Sequence, residues 1–100
     1  MIREVIFAPE ARDDLFELYN HIAGRGAPNA AMTYITRLEA RCLALADYPE
    51  QGLARDDIRP GLRLLGFERR IMIAFHITPP RLVIDRIFHG GQNVDAAFED

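Results

Sequence analysis

The alternation of apolar and polar residues changes period along this chain and marks its elements. Arg3-Glu4-Val5-Ile6-Phe7 is rich in strand formers and runs into Ala8-Pro9, which predicts a short first strand. Pro9 suits the first turn of a helix, and Leu15, Leu18, Tyr19 and Ile22 then fall at the i, i+3, i+4, i+7 spacing of one buried stripe. Gly24 and Gly26 end that helix. A second begins near Pro28, presents Ala31, Ile35, Leu38, Cys42 and Leu45 on one face, and stops at Tyr48-Pro49. The short link between them predicts an antiparallel helical hairpin. After a polar stretch from Glu50 to Arg59, Pro60-Gly61 fits a type II turn, with Pro first for its fixed φ and Gly second for a positive φ. Three strands follow: Leu62 to Phe67, then an alternation of Ile71, Ile73, Phe75 and Ile77, then Leu82 to His89. Asn93 either caps a short final turn through Phe98 or heads a frayed tail.

The order is β-α-α-β-β-β. A sheet needs cover for its apolar face and the hairpin is the only candidate, so the fold class is α+β, a helical hairpin packed on a mainly antiparallel sheet. At 100 residues, with 49% hydrophobic and 27% charged residues, the balance is that of one globular domain spanning residues 1–100, with a radius of gyration of about 13 Å. No apolar run approaches the roughly 20 residues of a membrane span, and Met1-Ile2-Arg3-Glu4 leads into no signal-peptide core, so a cytoplasmic protein without membrane contact is expected.

Missing residue types narrow the chemistry further. The chain has no Ser, Lys or Trp and a single Cys, Cys42, which removes serine nucleophiles, lysine Schiff bases, P-loop lysines, disulfides and multi-thiolate zinc. His21, His76 and His89 are scattered, so structural or surface roles are expected for them, with no metal and no cofactor. The net charge of −3 argues against strong direct nucleic-acid binding. Positive charge is local: residues 51–70 carry five Arg against three acids, and Arg favours bidentate contacts to carboxylates or phosphates.

Four segments follow one another in a distinctive order: Phe7-Ala8-Pro9-Glu10-Ala11-Arg12-Asp13-Asp14-Leu15, Tyr48-Pro49-Glu50-Gln51-Gly52, Arg55-Asp56-Asp57-Ile58-Arg59-Pro60-Gly61-Leu62-Arg63 and Arg86-Ile87-Phe88-His89-Gly90. Together they resemble the ParE branch of the RelE/ParE toxin superfamily, the toxin halves of bacterial type II toxin-antitoxin pairs, over nearly the whole chain. The resemblance implies a small β-α-α-β-β-β protein that binds a ParD-like antitoxin in a hetero-oligomer. When free, such a protein stops growth by acting on DNA gyrase or on translated mRNA. One departure stands at the first helix, where the family often has Ser-Pro-Glu-Ala and this chain has Ala8-Pro9-Glu10-Ala11, losing a capping oxygen.

Between Arg55 and Arg63 the charges admit two readings: acids paired with arginines that hold the loop, or Arg heads turned toward a partner. The resemblance implies a mixture, with Asp56, Arg59, Pro60 and Gly61 structural and Arg55 and Arg63 free to bind. Arg69 and Arg70 flank the entry to the most apolar strand, where neighbours face opposite sides, so one of them faces outward from the sheet, and both are candidate partner contacts. RelE-type ribonucleases look similar here, with an Arg on the third strand and an acid-base residue at the end of the fourth, positions that Arg70 and His89 match. In that reading Arg70 stabilises the phosphorane, His89 transfers a proton and Glu50 serves as base. The absence of Lys, the absence of Tyr after Tyr48, and Gly90-Gly91 in place of a terminal aromatic favour the other reading: no catalytic residue, and inhibition of gyrase by direct contact; a more distant alternative is a non-toxic binding module. Phe16, Tyr34 and Phe67 lie off the main stripes and are candidate walls of an exposed groove for an amphipathic antitoxin helix. Phe98 is a further anchor or a lid on the core.

Overall fold

In the computed structural model, which describes residues 1–99, strand β1 (Glu4–Phe7) passes through Ala8 into helix α1 (Pro9–Ala23), and α2 (Pro28–Ala44) returns against it. Strands β2 (Leu53–Ala54), β3 (Arg63–Phe67), β4 (Ile71–Thr78) and β5 (Arg81–His89) follow, then the single turn α3 (Val94–Ala97). The sheet order is β1-β5-β4-β3-β2, with β1 parallel to β5 and every other pair antiparallel. The α+β class and the hairpin-on-sheet arrangement stand as expected. One strand was not foreseen: β2 lies in the stretch expected to be polar and irregular, where Leu53 and Ala54 pair with Leu64 and Arg63. Two residues are too few to show an alternation.

The hairpin buries the stripe that its spacing predicts. Ala11, Leu15 and Leu18 of α1 and Ile35, Leu38 and Cys42 of α2 pack on Ile71, Ile73 and Phe75 of β4 and on Leu82, Ile84 and Ile87 of β5. Each large side chain withdrawn there contributes about 1.5–3 kcal/mol. Ile84 and Ile87 are three residues apart, a spacing that strict alternation would send to opposite faces. A bulge reconciles them: Phe75 faces Ile84 while Ala74 faces Arg86, leaving Asp85 as the extra residue. On the far face of the sheet, Leu62, Leu64, Ala74 and Phe88 form a second cluster under Ile58, Val94 and Phe98.

The punctuation behaves as its chemistry requires. Across Pro60-Gly61 the Leu62 N–H donates to the Arg59 carbonyl at 3.0 Å, and Gly61 holds φ +83°, as a type II turn demands. Ala8 sits at the helix start with extended φ and ψ of −61° and 154° and offers no side-chain cap. Asn93 does cap, its Oδ1 accepting from the Ala96 N–H at 3.2 Å.

Candidate functional site

One carboxylate fixes α1 to the sheet. Asp14 points from the apolar stripe of α1 onto β5, where Oδ2 accepts from Arg86 Nε and from the Ile87 N–H, both at 2.8 Å, and Oδ1 accepts from Arg86 Nη2 at 3.0 Å. These bonds, Asp14 first among their causes, push the Arg86 pKa up, and the guanidinium also lies 5.1 Å over the Phe88 ring. The sequence reading passed over Asp14. Its signal was an acid at i+3 from Ala11 and i−4 from Leu18, inside a stripe that should hold only apolar side chains.

The Arg55–Arg63 loop is largely self-satisfied. Asp56 accepts from the Gly61 N–H at 2.9 Å, and Arg59 lies 5.7 Å over the Phe98 ring. Arg55 grips Asp57 through two bonds of 2.9 Å, which raises the Arg55 pKa and lowers that of Asp57. Arg63 is corrected: its guanidinium is not free but donates to the carbonyls of Gln51 at 3.0 Å, Glu50 at 2.7 Å and Gly52 at 3.4 Å. Those oxygens belong to the segment that leads into β2, whose backbone has few partners of its own, so the arginine supplies them. Gly52 is forced there by a φ of +79° and by the Leu64 carbonyl, which a Cβ would meet at 2.4 Å.

Phe67 is corrected in the same sense. It is half-buried and packs edge-on to Tyr34 at 5.8 Å, so it supports the groove wall from behind. Arg37 lies 5.3 Å from the centre of the Tyr34 ring and pairs with Glu68, and burial followed by the Glu68 charge raises the Tyr34 pKa. Phe98 closes the second cluster, edge-on to Phe88 at 6.1 Å, as a lid. Phe16 stays exposed at 67%.

Arg70 and His89 do come together. The β4–β5 register sets Ile71 opposite His89, and a cleft of about 380 Å³ opens between this end of the sheet and the α1–α2 turn. Its floor is Leu18, Ile22, Ala27 and Ile71, with Tyr34 to one side and His21, Arg25, Arg70 and His89 around the rim. Among the described residues, no carboxylate lines it. Among the described residues, Arg25, Arg69 and Arg70 make no ion pair. The rings of His21 and His89 are tilted by 35° with centroids 5.8 Å apart. His21 and Arg25 were not expected here, because the last turn of α1 and the glycine-flanked turn meet the end of β5 only in three dimensions.

Glu50 is elsewhere, beside Ile77 at the opposite end of β4 from Ile71, about 20 Å along the strand at roughly 3.3 Å per residue. With two Arg and two His among its described lining residues, the cleft is equipped to hold an anionic, partly apolar group. Among the described residues, no three His, Cys, Asp or Glu side chains gather to hold a metal.

Comparison with known proteins agrees with this architecture. Among solved structures, the chain is similar to one described as the chromosomal ParDE TA system from P. aeruginosa, at 24% identity and a TM-score of 0.76, covering 89% of this chain and 96% of that one. A comparison with curated proteins gave no match. A family profile described as the ParE toxin of the type II toxin-antitoxin system parDE matches residues 5–94, from within β1 to the start of α3. The chain belongs to the ParE toxin family of type II toxin-antitoxin systems.

Proposed function

We propose that this single-domain toxin acts in the cytoplasm by binding DNA gyrase, without cleaving RNA, and that a ParD-like antitoxin neutralises it in a hetero-oligomer. Membership of the ParE family supports the choice of target and partner. The observation that carries the noncatalytic part is the separation of the candidate catalytic groups: Arg70 and His89 line the cleft, whereas Glu50, the carboxylate in the base role, lies at the other end of β4. RNA transphosphorylation needs a base for the 2′-hydroxyl and an acid for the 5′-oxygen on opposite sides of the phosphorus. A binding inhibitor needs only an accessible surface.

The test is to induce the chain alone and follow DNA supercoiling and mRNA integrity in parallel, then repeat both with purified gyrase and with translating ribosomes. Stoichiometric loss of supercoiling with intact mRNA is the expected result. Cleaved ribosome-bound mRNA with normal supercoiling overturns the proposal and restores Arg70 and His89 as catalytic candidates. Growth arrest that persists when a ParD-like protein is co-expressed overturns the antitoxin part.

A further inference from the structure

We infer that the cationic end of the molecule, Arg25 on the α1–α2 turn with Arg69 and Arg70 on the β3–β4 turn, holds the sugar-phosphate backbone of the duplex DNA that gyrase carries. The inference deepens the gyrase reading and rests on it. Among the described residues, every arginine but Arg3, Arg25, Arg69 and Arg70 has a carboxylate, a hydrogen-bond acceptor or an aromatic ring as its partner. All of these but Arg3 stand at one end of the sheet, beside the cleft.

Local geometry keeps them there. Phe67 pairs with Ile71 to close the β3–β4 turn, Glu68 takes a left-handed φ of +53°, and its carboxylate is held by Arg37 from α2. Arg69 and Arg70 are left at the tip, both exposed. The start of α2 adds to the positive potential: its N-cap Ala27 lines the cleft and offers no side-chain acceptor, and no acid stands in its first turn. The last α1 carbonyls at the same turn accept from the Gly24, Arg25 and Gly26 N–H groups. Opposing charge stands aside. Glu68 is paired, and Glu17, one turn before His21, is outside the lining and close enough to Arg86 to raise its pKa.

Separate cationic heads on two turns suit a polymer that carries a charge on every unit. The floor selects the sugar: Leu18, Ile22 and Ile71 are aliphatic, so a deoxyribose can lie on them, whereas a ribose would bury a 2′-hydroxyl against them without a partner. A net charge of −3 repels DNA from the rest of the surface, so the contact forms where the target already holds the duplex in place.

The experiment reads affinity against salt in two arms. In the first, the folded, isotope-labelled toxin is titrated with a DNA duplex of about 20 base pairs and with an RNA duplex of the same sequence, from about 20 to 150 mM salt. The DNA duplex should shift the Ile22 and Ile71 signals, with a slope of log K against log salt near about −2.7 for three phosphate contacts. R25Q/R69Q/R70Q should bring that slope close to zero, whereas R3Q, at the opposite end beside Pro80, should leave it unchanged. All three arginines of the first variant are exposed, so circular dichroism should show it folded. In the second arm, the toxin binds purified gyrase with and without bound duplex DNA. Binding should be about two- to tenfold tighter with DNA, the range of one or two exposed ion pairs, and the ratio should fall toward one in R25Q/R69Q/R70Q. A parent slope near zero, an equal slope in R25Q/R69Q/R70Q, tighter binding of the RNA duplex, or no gain from DNA on gyrase overturns the inference. Failure of the parent to bind gyrase, with the duplex slope present and lost in the variant, overturns the proposed function and leaves the phosphate site standing.

Discussion

Replacing Asp14 by Ala measures how much one buried carboxylate contributes to seating α1 on the sheet. The side chain is 7% exposed and accepts three bonds, two from Arg86 and one from the Ile87 N–H. Breaking a fully buried ion pair costs about 3–5 kcal/mol. Arg86 retains 27% exposure, so water recovers part of that and the pair accounts for about 1–2 kcal/mol here. The Ile87 N–H has no such recourse and, left without a partner, adds about 1–3 kcal/mol. The expected loss for Asp14→Ala is about 3 kcal/mol, a fall of about 1.5 M in the urea midpoint at an m-value near 2 kcal/mol/M. Asp14→Asn keeps an acceptor for Ile87 but turns an amide N–H₂ toward the guanidinium, and should lose about 1–2 kcal/mol. The double variant Asp14→Leu with Arg86→Met removes both charges and should recover only the ion-pair part, about 1–2 kcal/mol, because the Ile87 N–H still lacks its acceptor. Urea denaturation followed by circular dichroism reads all three. A loss under about 0.5 kcal/mol for Asp14→Ala, typical of an ordinary surface site, would refute the reasoning.

Three further outcomes follow from particular residues. Ala8→Ser should stabilise the free protein by up to about 1 kcal/mol, since the extended Ala8 backbone is ready to present a capping oxygen; chemical denaturation without a gain refutes it. Burial pushes the Cys42 thiol up from 9.0 to about 12, so the native chain should resist alkylation until it unfolds. Because the unfolded thiol loses its proton first, that contribution to stability is complete below about pH 9. It falls by up to about 1.4 kcal/mol per pH unit toward pH 12, and a flat denaturation midpoint across that range contradicts it. Gly52→Ala meets both a φ of +79° and the Leu64 carbonyl, whereas Gly61→Ala meets only a φ of +83° in open space. Thermal melts should show the first losing more than about 2 kcal/mol and the second about 1 kcal/mol, and equal losses reject the steric account.

Much of the fold is legible in periodicity because burial imposes it: the α1 and α2 stripes and the alternation of β4 reappear as one cluster. What escaped was decided by backbone and long-range geometry. A two-residue strand has no period, and the bulge at Asp85 is invisible until β4 supplies the register. The fate of Arg63 depended on three carbonyls that no side-chain pattern records. The cleft was half legible: Arg70 and His89 carried a family signal, whereas His21 and Arg25 join them only because the α1–α2 turn lies over the end of β5.

The parallel pairing of β1 with β5 ties the beginning of the chain to its end. Glu4 and Arg81 meet across 77 positions and Asp14 reaches Ile87 across 73. On a translating ribosome the helical hairpin is made early, but β4 and β5, which cover its apolar stripe, come nearly last. At roughly 5–20 residues per second, about 2 to 9 seconds separate the end of α2 from the end of β5, and non-local pairing is slow even then. The apolar stripe of the hairpin thus stays without its cover for that whole interval. Any surface that needs both the hairpin and the end of β5, the cleft among them, comes into being only after it.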